Sequence, residues 1–227
     1  MLLYIEFDFM NLFGVVFDMD GVIVDTNPYH KISLKQFCEK YGYHFSDEEL
    51  IKRIYGRTNN EWITNLFGKL SKERLLELGE EKEAMFRAIY KDAIAPVAGL
   101  ELFLEKLSNQ KIPCAIGTSA PRSNVDFVLN NTGLRNYFPV ILDQSHVAHG
   151  KPNPEIYLKT AQALALAPAQ TIVFEDSLSG IEAAQRAGAR VVGVTTTHTP
   201  AELKHCDLVI PDFTHLELES LAMVLRS

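Results

Sequence analysis

Short apolar runs recur along the chain and are separated by longer helical stretches. The first run, V-V-F at residues 15–17, follows Gly14 and leads into an Asp-Gly turn. Short runs rich in β-branched residues are typical of strands buried on both faces of a parallel sheet. The later runs are residues 112–118, 171–175, 190–196 and 207–212. This alternation predicts an α/β fold with a doubly wound, Rossmann-like parallel sheet.

Helix start and stop signals lie between these runs. Asn153 followed by Pro154 is typical of an N-cap and a first helical turn. Another helix is expected to begin near Ser177 and to end at Gly188, and Gly133 should end an earlier one. These signals predict helices that connect one strand to the next.

Residues 28–97 have a different pattern, because helical periodicity continues there without a strand-like run. Apolar positions on one helix face are Leu34, Phe37, Cys38 and Tyr41. Ser46 and Glu49 form a capping box that begins a second helix. A short third helix is expected at about 59–67 and a long fourth at about 71–92. We therefore assign residues 28–97 to an inserted all-helical domain, and residues 1–27 with 98–227 to the α/β core.

Composition and charge limit the possible functions. The chain has 227 residues, of which 47% are hydrophobic, enough for one main domain with an insertion. A formal net charge of −7 argues against a nucleic-acid or anionic-membrane partner. Cysteines without C-x-x-C spacing fit a reducing cytoplasm. No apolar run reaches the roughly 20 residues that cross a bilayer.

The first 14 residues, MLLYIEFDFMNLFG, lack the basic region and the cleavage site of a signal peptide. We interpret them as a strand-like extension, or as an upstream start with Met10 as the natural beginning.

Polar side chains stand at or after the ends of the predicted strands. Ligands of open α/β sheets bind beyond the carboxyl ends of the strands, so these side chains should converge. The candidates are Asp18, Asp20, Thr118, Ser119, Lys151, Glu175 and Asp176. Carboxylates suit a hard divalent cation such as Mg²⁺, which commonly shares its ligands with a phosphate. The pattern predicts a magnesium and phosphate site that neutralises the clustered carboxylates.

Four motifs resemble, in order and spacing, those of the haloacid dehalogenase superfamily of phosphotransferases. They are DMDGV (18–22), GTS (117–119), GKPNPE (150–155) and EDSLSGIEAA (175–184). The resemblance extends from about Gly14 to about Phe213. The helical insertion is similar to the four-helix cap of the β-phosphoglucomutase branch, a domain that closes over the substrate and excludes water.

The resemblance implies a role for each motif residue. Asp18 would be the nucleophile that forms an aspartyl-phosphate. Asp20 would be the general acid and base, with its backbone carbonyl bound to magnesium. Thr118 and Lys151 would hold phosphoryl oxygens, and the N–H of Ser119 would contact them as well. The implied magnesium ligands are Asp18, Asp20, Asp176 and, directly or through water, Glu175.

The resemblance also extends to substrate-binding residues in the insertion. Thr26 and His30, in DTNPYH (25–30), match the hinge between core and cap, and Lys82 falls where the branch has a lysine that partners this histidine. The loop YGRTNNEW (55–62) is expected to face the substrate. β-Phosphoglucomutases carry an arginine at the position of Asn59, and the nearest arginine here, Arg57, comes two residues earlier.

The favoured function is a magnesium-dependent phosphatase that hydrolyses a small phosphorylated metabolite, such as a sugar phosphate. A sugar phosphomutase of the β-phosphoglucomutase type is the alternative, since Thr26, His30 and Lys82 match it. A phosphoryl-accepting signalling receiver would also use an aspartate, magnesium and a Lys-Pro pair, but it has no use for a helical insertion of about 70 residues. The sequence leaves the substrate and the oligomeric state open.

Overall fold

The computed structural model describes residues 13–54 and 58–226. The chain divides into two compact units, one with residues 13–25 and 94–226, the other with Thr26–Ala93. The interpretation of residues 1–14 falls almost wholly outside the described residues, and so does Arg57. The assignment of residues 28–97 to the insertion stays a prediction.

The unit Thr26–Ala93 is built from α-helices in the part that the structure describes. They are α1 (Asn27–Lys40), α2 (Asp47–Arg53), α3 (Asn59–Phe67) and α4 (Lys72–Tyr90). The capping box of Ser46 and Glu49 is present and begins α2 as predicted. Leu34, Phe37 and Cys38 lie in the core of this unit, and Tyr41 packs half-buried against it. The predicted apolar face of α1 is therefore confirmed.

The described residues of the other unit form a sheet of parallel strands in the order β3-β2-β1-β4-β5-β6. They are β1 (Gly14–Phe17), β2 (Cys114–Gly117), β3 (Val140–Leu142), β4 (Thr171–Glu175), β5 (Arg190–Val194) and β6 (Leu208–Ile210). The chain runs outwards from β1 in one direction and from β4 in the other, so the strand order reverses between them. This is the doubly wound fold that the sequence predicts, and open α/β sheets bind their ligands at such a reversal.

Helices of this unit follow or precede the strands. They are α5 (Leu100–Asn109), α6 (Arg122–Thr132), α7 (Glu155–Ala163), α8 (Leu178–Ala187) and α9 (Leu218–Arg226). Gly133 and Gly188 adopt left-handed conformations at the ends of α6 and α8, and Ser177 caps the start of α8, all as predicted. None of the described helices is long and apolar enough to cross a membrane.

The core fixes β1 and β4 side by side. Phe17 is fully buried and pairs with Ile116 of β2 and with Phe174 of β4. The rings of Phe17 and Phe174 stack with their centroids 5.1 Å apart. Because these strands are parallel and in register, the residues that follow them emerge together at one edge of the sheet.

Two local features differ from the sequence-based expectation. The strand β3 was not predicted, because it has only three residues, all of them partly exposed, at the edge of the sheet. At α7 the N-cap is Pro154 rather than Asn153. The side-chain oxygen of Asn153 still accepts a hydrogen bond from the N–H of Glu155 at 3.0 Å, so it supports the first turn from one residue further out.

Candidate active site

Asp18 is the first residue after β1 and extends the sheet. Its N–H donates to the carbonyl of Phe174 at 3.0 Å, and its side chain is buried. The chain then turns sharply, with Gly21 in the left-handed region at φ +77° and its N–H 2.8 Å from the carbonyl of Val24. This turn places Asp20, which is half-buried, two residues beyond Asp18 at the same edge.

Lys151 joins two carboxylates of the site. Its ammonium nitrogen lies 2.7 Å from Oδ1 of Asp18 and 2.6 Å from Oε1 of Glu175. It also lies 4.9 Å from the centroid of the Tyr157 ring, at a distance typical of a cation–π contact. The lysine side chain is only 7% exposed, so water screens these ion pairs weakly.

Glu175, the last residue of β4, accepts hydrogen bonds on both of its carboxylate oxygens. Oε1 accepts from Lys151 at 2.6 Å and from the hydroxyl of Tyr157 at 2.8 Å. Oε2 accepts from the N–H groups of Asp176 and Ser177 and from the Ser177 hydroxyl, at 2.9–3.0 Å. These bonds hold Glu175 firmly in place and connect it to Lys151.

Two neighbouring residues, Thr197 and Gly21, restrain the side chain of Asp176. The hydroxyl of Thr197 donates to its Oδ2. Gly21 packs directly against the same oxygen, because a Cβ atom placed at Gly21 would lie 2.0 Å from Oδ2. Glycine is therefore required at position 21 both by the backbone conformation and by the space that the Asp176 carboxylate occupies.

Burial and the neighbouring charges shift the pKa values of this cluster. Burial, with the charges of Glu175 and Asp20, raises the pKa of Asp18 to about 7 although Lys151 opposes the shift. Burial and the charges of Glu175 and Asp18 raise the pKa of Asp176 to about 8. Burial would also raise the pKa of Glu175, but Lys151 and the other hydrogen bonds lower it below its usual value. Asp18 and Asp176 are thus the acids that gain most from a nearby cation.

The cluster fits a divalent cation. Asp18, Glu175 and Asp176 each offer a carboxylate oxygen, and these atoms lie within 4.8 Å of one another. Three carboxylates facing the single ammonium of Lys151 leave an excess of negative charge, which is costly to bury. Oxygen ligands of this type suit Mg²⁺. The residues present therefore fit the expected metal.

Thr118 and Ser119 follow β2, the strand next to β1. The N–H of Thr118 donates to the carbonyl of Leu142 at 3.0 Å, and its hydroxyl accepts from the N–H of Ala120 at 3.1 Å. Thr118 is buried whereas Ser119 is exposed. Since β1 and β2 are adjacent and parallel, both residues emerge at the same edge of the sheet as Asp18.

Within the helical unit, the structure brings Lys82 and His30 together. The ammonium nitrogen of Lys82 lies 2.8 Å from Nδ1 of His30, and the His30 ring stacks on Phe86 with centroids 3.8 Å apart. An ammonium group only donates, so Nδ1 of His30 is the acceptor in this contact. Thr26 is buried at the N-cap of the same helix, α1.

Further polar contacts, buried or partly buried, extend from the pair of Lys82 and His30. Lys82 also lies 3.0 Å from Oε1 of Glu83, which accepts from the amide nitrogen of Asn59 at 3.0 Å. The amide oxygen of Asn59 accepts from Nε1 of Trp62 at 2.9 Å. Asn59 therefore connects α3 with α4 through its amide nitrogen, while its amide oxygen binds within α3.

The sequence analysis did not identify three residues that contact the site. Tyr157 binds Glu175, Thr197 binds Asp176, and Thr196 donates to the carbonyl of Gly21 at 2.5 Å. Thr196 and Thr197 follow β5, so the strand-end argument that selected the other candidates applies to them as well. Tyr157 is the third residue of α7, and only the packing of this helix brings it to Glu175.

Comparisons with known proteins agree with this geometry. A sequence profile for haloacid dehalogenase-like hydrolases matches residues 15–194. The phosphorylated carbohydrates phosphatase of Thermotoga maritima is 36% identical over 187 residues, which cover 80% of this chain and 84% of that protein. The β-phosphoglucomutase of Bacillus subtilis is 30% identical over 216 residues, covering 92% of this chain and 93% of that protein.

A solved structure shows the same family relationship. The crystal structure of a family IA, variant 3 HAD hydrolase from Entamoeba histolytica has a TM-score of 0.87 and 31% identity, and covers 95% of this chain and 100% of that chain. The sequence-based assignment to the β-phosphoglucomutase-like branch is confirmed by these relatives. The chain therefore belongs to the haloacid dehalogenase-like hydrolases and is an enzyme of the phosphatase type.

Proposed function

We propose that this enzyme is a magnesium-dependent phosphatase that hydrolyses a small phosphorylated metabolite, such as a sugar phosphate, through an aspartyl-phosphate on Asp18. The observation that carries the proposal is the contact of Asp18 with Lys151 beside a second buried carboxylate, Asp176. This arrangement combines a nucleophile, a fixed positive charge and a cation site at one edge of the sheet. The relative from Thermotoga maritima, named a phosphatase of phosphorylated carbohydrates, supports the substrate class.

Asp18 and Asp20 carry the two chemical steps. In the first, a carboxylate oxygen of Asp18 attacks phosphorus, the bond from phosphorus to the leaving oxygen breaks, and Asp20 gives its proton to that oxygen. In the second, Asp20 takes a proton from water, whose oxygen attacks phosphorus and breaks the bond to Asp18. Inorganic phosphate leaves, and both aspartates return to their starting states.

Lys151 and Thr118 stabilise the charge of the phosphoryl group. Lys151 is held by Glu175, so its ammonium group is already in place when the substrate binds. The hydroxyl of Thr118 and the N–H of Ser119 offer further donors at the same edge. Asp18, Asp176 and the Asp20 carbonyl would hold Mg²⁺, which adds positive charge near the phosphoryl oxygens. Glu175 would act on this cation through water, since its own oxygens already accept several bonds.

A panel of phosphorylated metabolites tests the proposal. Phosphate release would be measured for sugar phosphates and for other phosphomonoesters, with Mg²⁺ and again with excess EDTA. We expect hydrolysis of at least one sugar phosphate, its loss in EDTA and its recovery when Mg²⁺ is restored. Turnover that is unchanged in EDTA would overturn the magnesium requirement.

A phosphomutase of the β-phosphoglucomutase type is the second candidate. The contact between His30 and Lys82, both of which match that branch, favours it. The Bacillus subtilis relative, named a β-phosphoglucomutase, supports it as well. β-Glucose 1-phosphate with a bisphosphate primer distinguishes the two functions, since a mutase produces glucose 6-phosphate and a phosphatase releases inorganic phosphate.

A further inference from the structure

The turn after β5 contacts two separate segments of the site. The N–H of Thr195 donates to the carbonyl of Ile210 in β6 at 2.9 Å, which anchors the turn to the sheet. The Thr196 hydroxyl then donates to the carbonyl of Gly21, in the turn after β1, at 2.5 Å. The Thr197 hydroxyl donates to Asp176, directly after β4. One turn therefore fixes both segments that supply the acidic residues.

Thr197 and Gly21 act on the same atom of Asp176. The hydroxyl of Thr197 binds Oδ2, and Gly21 leaves the space that this oxygen fills. A hydrogen bond on one side and close backbone packing on the other restrict the rotation of the carboxylate. The orientation of Asp176 is thus set by two elements other than its own.

We propose that Thr197 is a positioning residue for the cation site, because its hydroxyl holds the Asp176 carboxylate in the orientation that binds a divalent cation. The inference rests on the proposed function, since it requires a cation at Asp176. Hydrogen bonds to a metal-ligating carboxylate change metal affinity by about 10- to 100-fold. Thr197 itself is exposed, so its hydroxyl can be removed with little loss of packing.

The experiment measures cation affinity directly in the full chain. Mn²⁺ serves as the probe, with free Mn²⁺ followed by electron paramagnetic resonance and Mg²⁺ added as a competitor. Thr197→Val keeps the shape of the side chain and removes the hydroxyl, whereas Thr197→Ser keeps the hydroxyl. Thr195→Val makes the same change two residues earlier in the same turn. We expect Thr197→Val to raise the dissociation constant about tenfold or more, and both other variants to stay close to the wild type.

The outcomes separate this inference from the proposed function. Mn²⁺ binding of equal strength in the wild type and in Thr197→Val would overturn the role of Thr197 and leave the magnesium site intact. Absence of Mn²⁺ binding in the wild type would overturn the site itself, and the role of Thr197 with it. Melting curves in EDTA show whether each variant folds. If Thr197→Val does not fold, Thr197→Ser tests the role of Thr197 instead. Weak Mn²⁺ binding by a folded serine variant, which keeps the hydroxyl, would contradict the proposal.

Discussion

The ammonium group of Lys151 donates to Oδ1 of Asp18 at 2.7 Å, in a position where both side chains are largely buried. This contact orients the carboxylate and partly offsets the burial that raises its pKa. In the proposed mechanism, this contact would place the nucleophile and the positive charge that stabilises its product together before any substrate binds.

Replacement of Asp18 by asparagine should abolish turnover and preserve the fold. The two side chains have nearly the same shape, but an amide is a poor nucleophile. Loss of a covalent nucleophile lowers the rate by about three orders of magnitude or more. Phosphate release and the melting temperature would be measured together, with the exposed Asp92→Asn as the control. A folded Asp18→Asn enzyme that keeps more than about a tenth of the wild-type rate would contradict the assignment.

Replacement of Lys151 by methionine should destabilise the metal-free protein strongly at neutral and alkaline pH. Removal of one partner of a buried ion pair costs about 3–5 kcal/mol. The matched control is Lys106→Met, since Lys106 lies 2.8 Å from Glu217 in an exposed ion pair, which is worth about 0–1 kcal/mol. Urea unfolding in EDTA measures both variants.

The pH dependence of the Lys151→Met variant provides a second check. The loss of stability should shrink as the pH falls towards 5. Without Lys151, burial is no longer opposed by the ammonium group and raises the pKa of both Asp18 and Glu175, so these carboxylates take up protons and no longer lack a positive partner. A loss that is equal at pH 5 and pH 8 would instead indicate that the lysine stabilises the fold through packing.

The affinity for Mg²⁺ should rise with pH between about 6 and 8. Asp18 has its pKa raised to about 7 and Asp176 to about 8, so in this range both still carry protons that a cation must displace. In the metal-free protein, stability should fall as the pH rises from the ordinary pKa of these groups, 3.8, to the raised value, because the unfolded chain releases the proton that the folded protein still holds. Calorimetry at several pH values tests this, and an affinity that stays constant from pH 6 to pH 8 would refute it.

In EDTA, Glu175→Gln should lower the stability of the fold and Asp176→Asn should not. Asp176→Asn removes a buried charge that the metal-free fold tolerates poorly, so the melting temperature at pH 8.5 should not fall, whereas Mg²⁺ binding should be lost. Glu175→Gln replaces an acceptor that binds Lys151 and Tyr157, and should cost about 3–5 kcal/mol. Melting curves with and without Mg²⁺ show both effects. Stronger loss of Mg²⁺ binding in Glu175→Gln than in Asp176→Asn would contradict this division of roles.

The central strands could be predicted from the sequence because they are buried on both faces and give uninterrupted apolar runs. β1 shows this, since Val15, Val16 and Phe17 are fully buried. The edge strand β3 could not be found in this way, because Val140 and its neighbours are only partly buried and the run is short. Burial, rather than strand character itself, is what the apolar pattern reports.

Only some of the side chains in the site could likewise be predicted from the sequence. The residues directly after β1 and β4 could be located because strand ends converge in this fold. Tyr157 could not, since its contact with Glu175 depends on how α7 packs against the sheet. Thr197 follows a predicted strand, but threonine is common in turns, and only its bond to Asp176 distinguishes it.

The last prediction concerns the fate of the phosphoryl group and depends on Asn59. A mutase must retain a bisphosphate intermediate, which requires a positive charge on the phosphate that is not reacting. Asn59 is neutral, and its amide is engaged with Trp62 and Glu83. Loss of one charge-assisted phosphate contact weakens retention by about 2–3 kcal/mol, or roughly 30- to 150-fold.

We therefore expect the wild-type enzyme, given β-glucose 1-phosphate and a bisphosphate primer, to release inorganic phosphate faster than it forms glucose 6-phosphate. Asn59→Ala is the control, because it should lower stability by about 1–3 kcal/mol through the loss of the hydrogen bonds that Asn59 makes to Trp62 and Glu83, and leave the product ratio unchanged. Faster formation of glucose 6-phosphate by the wild type would establish the mutase instead. A product ratio that shifts towards phosphate in Asn59→Ala would show that Asn59 does help to retain the intermediate, contrary to the argument from its charge.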